Sequence, residues 1–373
     1  MMAHCRAVVI VCLASACGSA RAQQDLAATF EQQFGAAQQN RGASYREARD
    51  AVVAMGEPAI PLLEAKLRDD RWSVRMTAGI CLGWLRYPED YAVWRAVIDG
   101  ERLPPGWSED WRSAEDPLRP LQSVMADPKF VPLLHEAVWK LPPAAPRVLS
   151  YEERQGLVTE RLAAAADPRS VELALYMAQD GTSPADWILS LFSNLLRLER
   201  ANEAEVDLVV QCVEWFARRD RQPLGIREKA IEVLGYAESN ATATATLMNL
   251  AGERGAPNEV RTAAAAALGT CLARGSPRGG EIVEALGEVL KSEGSPDVRI
   301  AAVPALGRAA DPYWRDEREP ELRAVCQAAL KVLEAHVARE NDETVAWVTR
   351  EELGDLQATL GRWQEQQPEG EAQ

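Results

Sequence analysis

A ten-residue phrase recurs along this chain and constrains its fold more than any other feature. It opens with an apolar residue and an Arg, has a small residue three positions after the Arg, and closes on Leu seven positions after the Arg, usually followed by Gly. A phrase that recurs at intervals of about 20 to 50 residues is typical of proteins built from stacked supersecondary units. The five copies are Val74–Gly83, Ile226–Gly235, Val260–Gly269, Val298–Gly307 and Leu322–Lys331.

The spacing within the phrase predicts an α-helix with one buried face. The apolar residue before the Arg, the small residue and the Leu lie at i, i+4 and i+8, which is one side of an α-helix. A small residue there, such as Ala264, lets a neighbouring helix approach closely. Short polar residues near the helix starts predict N-caps, with Ser73 and Asn258 as examples and Asp297, after Pro296, as the strongest.

The dipeptide Asp-Pro predicts where one helix gives way to the next. Asp127-Pro128 and Asp167-Pro168 each precede an apolar stretch, and they are 40 residues apart. Proline fits the first turn of a helix because its missing N–H would be unpaired there, and the aspartate can cap that turn. Arg227, Arg261 and Arg299 are separated by 34 and 38 residues. These spacings predict an all-α solenoid of stacked two-helix repeats.

The first copy extends into a longer pattern that resembles a known repeat. Residues 57–63 read Glu-Pro-Ala-Ile-Pro-Leu-Leu, Asp69-Asp70 follow, and Val74–Gly83 complete the unit. This pattern resembles a HEAT repeat, in the short HEAT-like form shared with phycobilin lyases. The resemblance implies an α-solenoid, a fold whose members are mainly protein-binding scaffolds with some enzymes among them. It covers residues 57–86 and 226–336, and residues 120–220 in degenerate form.

The Arg of each copy has two interpretations. Stacked repeats would align these residues along one edge, where a row of guanidinium groups would bind anions. In similar HEAT proteins, however, this Arg pairs with an acidic turn residue of its own or the next repeat, and structural ion pairs often imitate functional ones. We favour the structural interpretation and call the row the arginine ladder. Its members are Arg75, Arg227, Arg261, Arg299 and Arg323, with Asp297, Asp69, Asp70, Glu259 and Glu319 as candidate partners.

The N-terminus has the features of a secretory signal peptide. Residues 1–22 contain Arg6, an apolar run over residues 7–16 and the small-residue sequence Ala20-Arg21-Ala22. The run is shorter than the ~20 apolar residues that a transmembrane helix needs, so we expect no integral membrane span. We expect cleavage after residue 22 and an exported protein, periplasmic or secreted. Cys17 ends a sequence that resembles a lipobox with its Leu one position early, so a lipid anchor there is the alternative.

Charge and cysteine content exclude further classes. Removal of residues 1–22 leaves 39 basic and 56 acidic residues and changes the net charge from −15 to −17. With no basic stripe to neutralise phosphates, we expect no nucleic-acid binding. The four remaining cysteines lie in predicted helices, and we expect free thiols, with Cys271 and Cys326 as the pair to test first. These cysteines are Cys81, Cys212, Cys271 and Cys326.

A search for catalytic and metal-binding patterns finds none that is complete. His135-Glu136 begins a zinc-protease pattern, but Trp139 stands where the second His is required. Only His135 and His336 follow residue 22, too few for a histidine cage. We therefore expect no catalytic residues, no metal and no cofactor.

Tryptophan is concentrated in one part of the chain. Six of the eleven tryptophans lie within residues 72–139, and Trp107 and Trp111 fall in a Pro-rich stretch with Glu109 and Asp110 between them. Either both rings pack against the solenoid, or exposed indoles beside carboxylates bind a partner or a sugar. These four residues are the candidate partner-binding site, since so long a connection is usually functional when it is ordered.

Together these patterns predict an exported, non-enzymatic HEAT-repeat scaffold that binds a protein partner in a bacterial cell envelope. The alternative is a glycan-binding protein or carbohydrate-active enzyme that uses the Trp and carboxylate loop. A chromophore lyase, suggested by the resemblance, is disfavoured by export. The expected organisation is a signal peptide at 1–22, a capping helix and linker at 23–42, repeats at 43–98, an insertion loop at 99–120, the repeat array at 121–362 and a disordered tail at 363–373.

Overall fold

The part of the chain that the structure describes folds into α-helices. The computed structural model describes residues 21, 23–99, 101, 127–140, 151–180, 185–310 and 319–365. Within them all regular structure is helical, in 17 α-helices and four short 3-10 segments, so the predicted all-α fold is confirmed. The helices are α1 (23–39), α2 (Gly42–Ala54), α3 (Ile60–Lys66), α4 (Trp72–Arg86), α5 (Pro88–Ile98), α6 (Val131–Trp139), α7 (Tyr151–Ala165), α8 (Val171–Asp180), α9 (Ala185–Arg197), α10 (Glu203–Arg218), α11 (Leu224–Leu234), α12 (Ala241–Gly252), α13 (Asn258–Ala273), α14 (Gly279–Ser292), α15 (Pro296–Gly307), α16 (Glu319–Val337) and α17 (Glu343–Glu365).

The helices belong to two compact units, Met1–Leu173 and Ala174–Gln373. In the second unit they form two rows. Helices α9, α11, α13, α15 and α17 pack side by side as the first row, and α10, α12, α14 and α16 pack side by side as the second. Each first-row helix from α11 onward also packs on the second-row helix that precedes it in the chain. This is the stacking of two-helix repeats that the sequence predicts.

The repeated phrase lies on the first row, and its predicted face is buried. In α13, Val260, Ala264 and Leu268 are fully buried. The corresponding side chains of α15 are also fully buried, and in the first unit the copy on α4 has the same buried face. Removing these apolar surfaces from water is the main stabilising contribution to the stack.

The glycine that closes the phrase allows close packing of successive first-row helices. A Cβ atom at Gly235 would lie 3.2 Å from the Cβ of Ala267, and one at Gly269 would lie 2.7 Å from the Cα of Ala305. At Gly307 the added atom would collide with the carboxylate of Glu352. Each glycine therefore faces the residue before the Leu of the next copy, where a side chain would force the helices apart.

One predicted copy lies outside the first row, and one first-row copy was not predicted. Leu322–Lys331 lies on α16, a helix of the second row, so it does not continue the first-row series. The first row continues instead on α17, where Val345 and Thr349 are fully buried and Leu353-Gly354 follow. The sequence pattern did not indicate this sixth copy, because Ala346 replaces the Arg and Thr349 replaces the small apolar residue.

The caps are partly as predicted. Asp127 and Asp167 each accept a hydrogen bond from the backbone N–H two residues on, at 2.9 Å, as the Asp-Pro phrase predicts. Asp297 is not an N-cap: α15 begins at Pro296, its N-cap is Ser295, and Asp297 lies in the first turn. Proline is already suited to the first helical position, so the helix starts before the aspartate. The carboxylate still lies where the helix dipole favours negative charge.

Ser73 and Asn258 are also not N-caps. Helix α4 begins at Trp72 and α13 at Asn258 itself, so each polar residue lies inside its helix. In the second unit the side chains that do cap helices include Asn202, which forms a capping box with Glu205, and Asn240. Neither follows the repeated phrase closely enough for its spacing to indicate it.

Helix α1 is anchored to the first unit through its middle and its C-terminal end. Phe30 and Phe34 stack with ring centroids 5.4 Å apart and are buried in a core shared with α2, α3 and α4. The Nζ atom of Lys140 donates hydrogen bonds to the carbonyls of Gln38 at 2.5 Å and Asn40 at 3.1 Å. A lysine is well suited to these carbonyls because they end a helix and carry its negative partial charge.

At the other end of the chain, α17 continues to Glu365, beyond the predicted start of the tail at 363. Trp363 is 7% exposed, so its indole packs against the fold and keeps this last turn helical.

Candidate functional site

The residues selected from the sequence as a partner-binding site, Trp107, Trp111, Glu109 and Asp110, lie outside the described residues, as does Cys17. Four other tryptophans of the same enriched region are described, and all pack inside the first unit. The rings of Trp72 and Trp139 have centroids 5.0 Å apart, and Trp84 meets Tyr91 edge-on at 5.5 Å. Trp94 packs edge-on against Phe130 at 6.1 Å.

The arginine ladder joins each phrase to the end of the helix before it. Arg227 Nε donates to the carbonyl of Ala217 at 3.1 Å, near the end of α10, and Arg299 NH1 donates to the carbonyl of Glu293 at 2.9 Å, just after α14. Arg75 reaches the carbonyls of Asp69 and Asp70 in the same way. The last carbonyls of a helix have no partner within it, so these guanidinium groups fill a structural need.

Four ladder arginines also reach carboxylates. Arg227 pairs with Asp220 at 3.1 Å, and Arg299 pairs with Glu340 at 2.9 Å. Arg261 pairs with Glu293, and Arg75 with Glu172. None of these carboxylates is among the five named from the sequence; Asp69 and Asp70 contribute only their carbonyls.

Arg323 differs from the other ladder arginines, because it lies on α16 and donates to the carbonyl of Trp363 at 3.5 Å. The contacts of the other four support a structural role for the ladder, which remains a prediction.

The His135-Glu136 pair has a structural setting. Glu136 is fully buried on α6, and its Oε1 accepts hydrogen bonds from the Tyr45 hydroxyl at 2.9 Å and Arg49 NH1 at 2.6 Å. Its Oε2 accepts from Trp84 Nε1 at 3.0 Å. Helices α2, α4 and α6 are thus joined through one carboxylate whose two oxygens are both hydrogen-bonded, which is how a buried charge is tolerated.

His135 is hydrogen-bonded to a serine in the core. Its Nε2 lies 2.8 Å from the Oγ of Ser170, and the two residues are 2% and 0% exposed. Burial lowers the pKa of His135 to about 3, because a charged imidazolium would be desolvated there. The pair contains a nucleophile and a base, but both are closed off from solvent.

The four cysteines after residue 22 that the sequence identified are free thiols within helices. Burial raises the pKa of each thiol to about 12. The thiolate is the nucleophilic form of cysteine, so these groups are held in their unreactive form at neutral pH.

A groove in the second unit contains a carboxyl group, Glu352, whose pKa is raised. It lies between α15 and α17 and has a volume of about 280 Å³. We call it the α15–α17 groove. Its lining consists of Pro304, Gly307, Arg308, Ala310, Glu352, Asp355 and Thr359.

Two carboxylates share this groove. Burial raises the pKa of Glu352, and the neighbouring carboxylate of Asp355 raises it further, while Arg308 opposes both effects. Within the described residues neither Glu352 nor Asp355 makes a hydrogen bond or an ion pair. The space for Glu352 comes from Gly307, which has no side chain to exclude it. A pair of carboxylates with no partner in a groove is a candidate binding feature.

Helix α17, which lines one side of the groove, also carries an exposed tryptophan. Trp347 on α17 is 58% exposed, more than any other large apolar side chain among the described residues. Trp347, Glu351 and Asp355 follow one another at intervals of four residues and are all exposed. We call these three residues, together with the groove, the α17 surface. The sequence contained one signal for it: Glu352 precedes Leu353-Gly354 where earlier first-row copies have Ala or Val.

A second exposed tryptophan, Trp215 on α10, is 43% exposed and lies in the second row. Its ring is covered on one side by the guanidinium of Arg219, 4.6 Å from the ring centroid. It therefore offers less free indole surface than Trp347.

Comparisons with known proteins add little to this geometry. No protein-family model and no curated protein matches the chain. The structure of human deoxyhypusine hydroxylase in complex with glycerol is 18% identical, with a TM-score of 0.29, over 92% of this chain and 99% of that one. A computationally designed self-assembling cyclic homooligomer is 12% identical, with a TM-score of 0.17, over 86% and 98%. At these values neither likeness carries an argument about function.

Among the described residues, none of the helices combines the length and the apolar character required to cross a bilayer. The same part of the chain holds no group of three His, Cys, Asp or Glu side chains placed to bind a metal ion.

Proposed function

We propose that this chain is an exported, non-enzymatic HEAT-repeat scaffold of a bacterial cell envelope, and that it binds a protein partner through the α17 surface. The observation that carries the proposal is the exposed indole of Trp347 on α17, the helix that also contributes Glu352 and Asp355 to the α15–α17 groove. Tryptophan is enriched among the residues that contribute most to protein-protein binding, because it buries a large rigid surface at little entropic cost. A repeat array also presents such surfaces on successive helices.

The state of the reactive groups supports a non-enzymatic role. The His135 and Ser170 pair is enclosed, both oxygens of Glu136 are hydrogen-bonded, and the thiols are protonated. The ladder arginines are occupied by helix ends and carboxylates. These histidine, serine, cysteine, arginine and Glu136 side chains are therefore enclosed or engaged in holding helices together.

Affinity capture from an envelope extract tests the proposal. The mature protein is compared with Trp347→Ala and with Trp215→Ala, a matched control that removes an exposed indole from the other row. We expect a stoichiometric protein partner that Trp215→Ala retains and Trp347→Ala loses, with unchanged helicity in both variants. Loss of the partner from both variants alike, or from neither, would contradict binding through the α17 surface.

The glycan-binding alternative depends on Trp107, Trp111, Glu109 and Asp110. Retention of oligosaccharides by the mature protein, with no protein partner recovered, would favour that alternative over the scaffold.

Export is proposed from residues 1–22. Fractionation of cells that express the full chain tests it directly. Recovery of the protein in the cytoplasmic fraction at its full length would contradict export while leaving the binding surface to be judged by capture.

A further inference from the structure

The α15–α17 groove has a negative potential from two independent sources. Glu352 and Asp355 contribute two carboxylates from α17. The groove also lies at the C-terminal end of α15, where a helix carries about half a negative charge.

One positive group lies in the groove, and it is partly engaged elsewhere. Arg308 NH1 donates to Thr270 Oγ1 at 3.1 Å, and Thr270 belongs to α13, which packs on the opposite side of α15 from α17. Arg308 still lowers the pKa of Glu352. Two carboxylates and a helix C-terminus thus outweigh a single guanidinium, and the groove is short of positive charge.

The Glu352 carboxylate lies at the contact between α15 and α17. It occupies the space beside Gly307 that a side chain would fill, and α17 is anchored by the buried residues Val345, Thr349 and Leu356. A carboxylate kept half-buried beside another carboxylate costs free energy in the unbound protein. A cation in the groove would remove that cost, so the arrangement is complementary to a positive charge.

We propose that the α15–α17 groove binds a lysine or arginine side chain presented by the protein partner, with Glu352 and Asp355 as its counter-charges. This inference rests on the proposed scaffold function and names the chemistry that the surface recognises. The partner segment runs from the groove along α17 toward Trp347, whose indole provides apolar contact and can receive a second basic side chain by a cation-π interaction. Glu351, exposed between Trp347 and Asp355, extends the same charge preference.

A random-peptide display library on the purified mature protein tests the inference without knowledge of the partner. Three proteins are compared: the wild type, the double variant Glu352→Gln with Asp355→Asn, and a control, Glu284→Gln with Glu288→Gln, which removes the same charge from exposed positions on α14. Gln and Asn keep the size of the side chains they replace. Circular dichroism and melting temperature establish that all three are folded.

We expect the wild type and the control to enrich peptides that contain Lys or Arg, and to bind an enriched peptide with equal affinity. The groove variant should bind that peptide at least about tenfold more weakly, and so should the wild type when the peptide's Arg is replaced by citrulline. The inference is overturned if enriched peptides lack basic residues, if no peptide is enriched, or if the groove variant binds within twofold of the control.

This result is separable from the test of the scaffold function. If the envelope partner is lost with Trp347→Ala but retained by the groove variant, the scaffold stands and the basic-residue inference fails. If no envelope partner is recovered at all, the scaffold function fails, and the peptide experiment still decides what the groove binds.

Discussion

Replacing the glycine that closes the repeated phrase by alanine should change stability in opposite directions at two positions, Gly269 and Gly354. Gly269 and Gly354 both follow a Leu within a first-row helix. A Cβ at Gly269 would lie 2.7 Å from the Cα and 3.0 Å from the Cβ of Ala305, whereas a Cβ at Gly354 would have no atom within 4 Å. Packing therefore opposes an alanine at Gly269, whereas an alanine at Gly354 would meet only open space.

The magnitudes follow from two opposing effects. Replacing glycine by alanine inside a helix stabilises it by roughly 0.5 to 1 kcal/mol, because the unfolded backbone loses freedom. Overpacking a close helix contact costs about 1 to 3 kcal/mol, because backbone atoms must move. We therefore expect Gly269→Ala to lower the free energy of unfolding by about 1 to 2 kcal/mol. Gly354→Ala should raise it by roughly 0.5 to 1 kcal/mol.

Urea unfolding followed by circular dichroism measures both variants against the wild type. In a unit of about 200 residues each kcal/mol corresponds to roughly 2 to 4 °C in melting temperature, so the two variants should melt on opposite sides of the wild type. Equal m-values would show that both act on the same transition. If Gly269→Ala is as stable as Gly354→Ala, Gly269 is not needed for the close approach of α13 and α15, and the packing argument is wrong.

Three further predictions concern the ladder, the core histidine and the N-terminus. Arg261→Ala should destabilise the protein by about 3 kcal/mol in urea unfolding, because it leaves the buried carboxylate of Glu293 without its partner; unchanged stability with loss of a bound anion would contradict the structural role. His135 has a folded pKa of about 3, below its unfolded value, so its contribution to stability is lost as pH falls from about 6.5 to 3, at up to about 1.4 kcal/mol per pH unit. His135→Gln should remove that part of the acid slope in pH-dependent urea unfolding, and an unchanged slope would refute it. The intact mass of the exported protein should correspond to a chain that starts at Gln23, whereas the mass of a diacylated chain that starts at Cys17 would establish the lipid anchor.

The sequence was sufficient for the fold because the phrase reports on helix stacking. Val260, Ala264 and Leu268 recur at helical spacing, and a glycine follows at the point of contact. Each of these residues packs against helices of adjacent repeats, which have the same pattern. Local spacing therefore carries the information. It also located the Asp caps at 127 and 167, where proline fixes the helix start within one residue.

The sequence was not sufficient for the partners of the ladder or for the groove. The carboxylates that meet Arg75 and Arg299 are 97 and 41 residues away, so spacing within a repeat cannot indicate them. The groove depends on Glu352 meeting Gly307 across two helices, in a copy whose Arg and Ala are both replaced. The prediction also placed Asp297 at a cap, because a polar residue after proline reads the same whether the helix starts at the proline or after it.

The division between repeated and variable positions indicates where function can be read in this chain. The positions that repeat from copy to copy all serve the stacking of helices. The apolar residues are buried, the arginine donates hydrogen bonds at the end of the previous helix, and the glycine lets the next helix approach closely. A binding property therefore has to come from positions where one copy differs from the others. Among the first-row helices that carry the phrase, α17 differs most, with Ala346 in place of Arg, Glu352 in place of a small or apolar residue, and Trp347 exposed where α13 has Thr262. The same helix that ends the regular ladder thus carries both the unpartnered carboxylates and the exposed indole, and this coincidence is why the α17 surface, rather than the repeated face, is the place to look for a partner.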